Sequence, residues 1–233
     1  MAYGGDFSDL DDMARRDRTA IETLGRPLEH SGKPLVITSG TLVMPAGRET
    51  TEMDEPDTAG IAAFRIAGER ACLRLAARGV RASVVRLAPT VHGPRDHGFI
   101  PMLIATARKT GVSAYVGDGT NRWPAVHRLD AAVLFRLALE KAPAGSVLHG
   151  AAESGVTLKS IAEKIARGLD LPTLSLTPAE AARHFASPFM ATAYGFDGPV
   201  SSAHTQELLG WSPTHPTLLD DLEHGDYLAT PAY

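Results

Sequence analysis

A single cysteine in 233 residues leaves no partner for an internal disulfide and too few thiolates for a cysteine-built metal centre. No apolar run approaches the roughly 20 residues that span a bilayer, and the first residues carry no apolar signal core. Lys/Arg clusters interleaved with aromatics are also missing, and a net charge of −4 offers nucleic acid no electrostatic footing. There is no internal repeat and no low-complexity tract. The expectation is a cytoplasmic protein with no nucleic-acid partner and no membrane partner. Homo-oligomer formation stays open. What is present, 44% apolar and 21% charged residues, suits one good core, or a core with a small appended lobe.

The stretch RASVVRLAPTVHGP, residues 81–94, organises the rest. Val84, Val85 and Leu87 form a short apolar run with little alternation, as in a parallel strand covered on both faces. Pro89 and Gly93-Pro94 stop it. Ligands of open α/β sheets sit beyond the carboxyl ends of the strands, which is where residues 88–92 fall.

A first helix is expected from residue 8, with Ser8 as N-cap and Asp9, Asp11 and Asp12 in its first turn. PLVIT, residues 34–38, reads as a strand followed by Ser39-Gly40-Thr41, and a second helix is placed over about 60–78, ending at Gly79. Beyond the organising strand come a helix over 99–109 and a short strand before a Gly-Asp-Gly turn at 117–119. A helix over 129–141 capped by Asp130, a strand over 146–151 and a helix over 157–169 capped by Thr157 follow. Residues 178–184 read as a short helix, 187–199 as loop, and a last helix ends at Leu208-Leu209-Gly210. Helix and strand alternate with connections that parallel crossovers require, so the fold class is α/β with a mostly parallel, doubly wound sheet.

Four segments in order, PLVITSGT, VVRLAPTVHGP, VHRLDAA and ELLGWSP, resemble the extended short-chain dehydrogenase/reductase family, which includes NAD(P)-dependent epimerases and dehydratases. The resemblance implies a partial Rossmann-like fold: a truncated dinucleotide-binding-like domain over 1–155, and a small C-terminal substrate lobe mainly over 156–233, the two interleaved. It implies NAD or NADP as cofactor, with Thr38, Ser39, Leu87, Pro89, Thr90 and Val91 around it. Ser39, Thr41 and His92 become candidate catalytic residues, and His92, Asn121, Arg122, Trp123 and His127 candidate substrate contacts. No metal is implied; His97 lies five residues after His92, without a carboxylate-rich neighbourhood.

Each assignment has a plainer counterpart. Ser39 and Thr41 also suit capping of a strand-end turn, residues 89–91 simple strand termination, and His92 a hydrogen-bonded turn. Arg122 offers a fork for an anionic group, Trp123 is equally suited to packing under a loop, and His127 and Asp130 to fixing a loop and capping a helix. Cys72 reads as a small buried helix residue.

Two departures from the family pattern stand out. The glycine-rich turn that cradles a pyrophosphate has no counterpart beyond Gly4-Gly5, so the chain reads as beginning after the family's fourth strand. There is no Tyr between residues 4 and 114 and no Lys between 34 and 108, so the family's Tyr-x-x-x-Lys pair is absent. By spacing its positions fall on or near Arg65 and Glu69, which read as an i,i+4 pair on a helix surface. Arginine is no general base near neutral pH. The leading reading is an NAD(P)-dependent oxidoreductase or epimerase/dehydratase acting on a small polar carbonyl or hydroxyl substrate. The alternatives are a non-catalytic ligand-binding or regulatory protein, and an inactive fragment whose apolar strand at 34–38 lies near an uncovered sheet edge.

Overall fold

A computed structural model describes residues 9–229. In chain order the elements are α1 (Leu10–Gly25), β1 (Pro34–Gly40), α2 (Ile66–Ala76), β2 (Arg81–Leu87), β3 (Thr90–His92), α3 (Phe99–Thr110), β4 (Ser113–Val116), β5 (Arg122–His127) and α4 (Arg128–Lys141). They continue with β6 (Ser146–Gly150), β7 (Glu153–Thr157), α5 (Leu158–Leu169), β8 (Thr173–Leu176), α6 (Pro178–His184), α7 (Pro188–Tyr194), α8 (Ala203–Leu209) and α9 (Leu218–His224).

The central sheet has the order β1-β2-β6, all parallel. Its middle strand is buried along almost its whole length because both faces are covered. One face presents Ile37 and Val84 to Ile21 of α1 and to Ala71, Cys72 and Leu75 of α2. The other presents Val85 and Leu148 to Leu134, Leu137 and Ala138 of α4, with Trp211 beside them. Helices α1 and α2 approach closely: a Cβ on Gly68 would stand 2.6 Å from an Asp17 carboxylate oxygen, and one on Gly25 would collide with Leu75. Among the described residues, no strand pairs with the outer edge of β1.

A second sheet, β3-β5-β7, joins a parallel pair to an antiparallel one, and β4 and β8 form a parallel two-stranded sheet. Trp123, Ile100, Ile104, Ile161, Ile165 and Leu218 form the core under the second sheet. Its strands β3 and β5 come from chain inserted between β2 and β6, so the two sheets are interleaved in sequence.

Several local expectations change. Ser8 lies outside the described residues, and Asp9 caps α1, accepting from Asp12 N at 2.9 Å. The second helix begins at Ile66, after a 3₁₀ turn over 63–65, instead of near residue 60. Residues 187–199 are not a loop throughout: Ser187 accepts from Met190 N and starts α7, with Pro188 in its first turn. Asp130 does not cap α4; His127 does, its ring accepting from Leu129 N at 3.2 Å. Helix α9, missed in the sequence, opens with a Thr217/Asp220 capping box.

Glu69 makes no surface pair with Arg65. It is 2% exposed and meets Arg86 of β2, itself 3% exposed, through Nη2–Oε2 at 2.8 Å and Nε–Oε1 at 3.1 Å. Removing one member strands a buried charge, at a cost of about 3–5 kcal/mol. Glu69→Ala is therefore expected to lower the urea midpoint strongly, and Glu69→Leu combined with Arg86→Met to recover most of the loss. Equal midpoints for Glu69→Ala and the native chain would show that the pair carries no such constraint.

Candidate functional site

The carboxyl ends of β1, β2 and β6 carry one polar row. Ser39, Arg86 and His149 are register partners across the three strands, so their side chains leave the same face at one level. Ser39 and Thr41 are 3% and 1% exposed, and their hydroxyls have no hydrogen-bond partner among the described residues. Thr38 contributes its carbonyl, which accepts from Arg65 Nη2 at 2.7 Å, while Arg65 Nε lies 3.9 Å from Asp17. The segment after β1 folds back over the row as an apolar cover: Val43, Met44, Ala62 and Ile66 pack with Ala151 and Val200. Met44 Sδ accepts from Arg86 Nη1 at 3.1 Å. Further along the segment, Glu52 Oε1 accepts from Thr205 N and Oγ1 at 2.9 and 2.6 Å.

Leu87 and Val91 are half-buried against the α4 core, and Pro89 forms the turn between β2 and β3. Thr90 is committed, its hydroxyl donating to Pro124 O at 2.6 Å. His92 is 1% exposed and belongs to a separate cluster around the second sheet. Its Nδ1 lies 2.6 Å from Asp221 Oδ2 on α9, and its Nε2 lies 3.9 Å from Glu153. Tyr227 closes this end, its hydroxyl accepting from Gly93 N at 3.0 Å and donating to Asp96 at 2.7 Å. Gly93 holds φ +124, and a Cβ there would stand 2.8 Å from His127 Nε2, so only glycine fits.

Asn121, Arg122 and Trp123 occupy a third place. Asn121 Nδ2 donates to the carbonyls of Tyr194 and Phe196 at 2.9 and 3.2 Å, and Arg122 spends its fork on Asp197 at 3.0 and 2.9 Å. Trp123 is fully buried and stacks on Tyr194 at 5.4 Å. All three fasten residues 194–197 onto β5.

His127, Asp130 and His215 bring potential ligand atoms within 4.8 Å of one another. Imidazole lone pairs lie in the ring plane, however, and the two rings stack at 4.7 Å with an interplanar angle of 7°. Their lone pairs run parallel and do not converge on one ion. Asp130 is occupied as well, Oδ1 taking Thr214 N and His215 Nδ1 and Oδ2 taking His215 N. The trio joins the start of α4 to residues 214–215.

Sequence reasoning missed Glu52, Arg86 and His149. The signal available was a charged or imidazole side chain near the carboxyl end of each of two mostly apolar strands, at Arg86 and at His149.

The family model described as "NAD dependent epimerase/dehydratase family" matches residues 9–149. An uncharacterised protein of Schizosaccharomyces pombe is 47% identical over 230 residues, covering 97% of this chain and 76% of its own length. Among solved structures, the fold is similar to a dTDP-glucose 4,6-dehydratase of Streptomyces venezuelae with NAD bound (TM-score 0.77, 16% identity, 98% of this chain and 71% of that one). It is also similar to a UDP-glucuronic acid 4-epimerase of Bacillus cereus in complex with NAD (TM-score 0.73, 17% identity, 97% and 71%).

The cap made by His127 needs an unprotonated Nδ1. Burial lowers its pKa below the ordinary 6.5, with His92 and His215 adding to the shift and Asp221 and Asp130 opposing it. The unfolded chain therefore protonates first, so this stability is complete above about pH 6.5 and is lost as pH falls from there. His149, lowered by burial, acts with the same sign, whereas Asp96, raised by burial, acts in the opposite one from its ordinary 3.8 upward. His127→Asn keeps a capping oxygen without titrating. It should flatten the fall of melting temperature between about pH 7 and pH 5.5, and an unchanged slope would refute the assignment.

Proposed function

The chain belongs to the NAD dependent epimerase/dehydratase family, and on that premise we propose that it binds NAD or NADP beyond the carboxyl ends of β1 and β2. Its substrate is a small polar molecule bearing a carbonyl or hydroxyl carbon. The observation that carries this reading is the pair of strand-end hydroxyls, Ser39 Oγ and Thr41 Oγ1, buried without a partner. Leaving such groups unpaired costs about 1–3 kcal/mol each, which a functional contact accounts for.

The residues present fit the nicotinamide end of the cofactor: Ser39 and Thr41 offer hydroxyls, and Leu87, Pro89 and Val91 an apolar wall. They do not supply the pyrophosphate end. Gly4-Gly5 lies outside the described residues, and among those described no glycine-rich turn leads from a strand into a helix. When bound, the nicotinamide supplies hydride exchange at its C4. Ser39 then polarises the substrate oxygen, and His92, oriented by Asp221, moves its proton only if the substrate reaches from Ser39 to the second-sheet cluster. Asn121, Arg122, Trp123 and His127 act behind the substrate in this reading, holding the segments that surround it.

A second reading, ligand binding without turnover, is favoured by a specific observation. Glu69 is locked to Arg86, Arg65 is bound to Thr38 O, and His92 is buried against Asp221, so among the described residues no proton carrier stands exposed beside Ser39.

Titration of the native chain with NADH and NADPH, followed by nucleotide fluorescence, is expected to saturate at micromolar concentration. Ser39→Ala should weaken binding roughly tenfold, the worth of one hydrogen bond. Absence of binding up to millimolar nucleotide would remove the cofactor claim. Binding without turnover across a panel of small aldehydes, ketones and alcohols would select the second reading.

A further inference from the structure

A second set of buried polar atoms lies beneath the covering segment and has no part in the reading above. Among the described residues, Thr50 Oγ1, Glu52 Oε2 and His149 Nε2 have no hydrogen-bond partner, although Thr50 and His149 are fully buried and Glu52 is 6% exposed. Shared neighbours link the three residues. Thr205 Oγ1 donates to Glu52 Oε1 at 2.6 Å and accepts from His149 N at 2.8 Å. On the other side, His149 Nδ1 lies 2.9 Å from Ser201 O, and Ser201 N donates to Thr50 O at 2.7 Å.

The protonation pattern follows from these partners. A carbonyl only accepts, so the proton of neutral His149 sits on Nδ1 and its Nε2 presents a lone pair. Glu52 Oε2, as a carboxylate oxygen, accepts as well. Thr50 Oγ1 carries a hydroxyl proton to give. Two acceptors and one donor are the complement of a single water molecule, and buried waters typically make about three hydrogen bonds to otherwise unpaired groups.

We propose that Thr50, Glu52 and His149 enclose one buried water, which donates to Glu52 Oε2 and to His149 Nε2 and accepts the Thr50 hydroxyl proton. Burial disfavours the imidazolium alternative. The charged groups facing His149 divide, Glu52 and Glu69 favouring protonation and Arg86 opposing it, and the Ser201 carbonyl also favours it. The water joins the covering segment to the end of β6, two parts of the chain distant in sequence. It thereby fixes how the cover sits over the strand ends.

The test combines structure, spectroscopy and substitution. A crystal structure that resolves ordered water should show one peak within hydrogen-bonding distance of all three atoms, and imidazole nitrogen shifts should report His149 as the neutral Nδ1–H tautomer. Thr50→Val should lower the melting temperature by about 2–4 °C, and Thr50→Ser should restore it. A direct Glu52–His149 hydrogen bond with an imidazolium signal would overturn the proposal. So would a peak at metal–ligand distances of about 2.0–2.2 Å, or an unshifted melting temperature in Thr50→Val.

Discussion

A guanidinium in the middle strand of a sheet covered on both faces must find a carboxylate at its own depth, and much of this molecule is arranged around that requirement. Arg86 cannot reach solvent, so α2 has to bring Glu69 down onto β2. That docking orients α2 so that Ala71, Cys72 and Leu75 seal the adjoining core, and it places Arg65, one residue before the helix, over the carbonyl of Thr38. Met44 takes the remaining direction of Arg86, which anchors the cover above the strand ends. One buried charge thus adds a polar link to the apolar packing among a helix, a strand and a covering segment.

The candidate functional groups divide among three regions. Ser39 and Thr41 lie on the central sheet with unspent hydrogen-bonding capacity, whereas His92 and His127 sit in a cluster whose partners come from α4, β7, α9 and residues 214–215. Asn121 and Arg122 spend their polar groups on residues 194–197, whereas Trp123 stacks on Tyr194 and its buried Nε1 has no hydrogen-bond partner among the described residues. Trp123 apart, polar satisfaction is high in the second and third groups and low in the first, and this contrast supports the proposed ligand site at the central sheet.

The α/β class, the parallel strands 34–40 and 81–87 and the helices that cover them were legible because hydrophobic periodicity is a local property. Thr157 as a cap was legible for the same reason. Tertiary choices were not. Glu69 sits four residues from Arg65, the spacing of a surface pair, and nothing nearby in sequence announces that Arg86 outcompetes it by being buried. Asp130 follows His127 where a capping carboxylate would sit, yet it is claimed by amides at 214 and 215. Helix α7 was hidden because Pro188 reads as a breaker until Ser187 is seen to cap it.

The path of the chain through its central sheet has a temporal consequence. Strand β2 pairs on one side with β6, but residues 88–145 must be synthesised before β6 exists. A nascent chain emerging from the ribosome therefore displays the unpaired edge of β2 for the time taken to add that whole excursion, and non-local parallel pairing is slow to form even afterwards. Chaperone dependence and yield on expression are then set by the interval between two strands as much as by the stability of the finished fold.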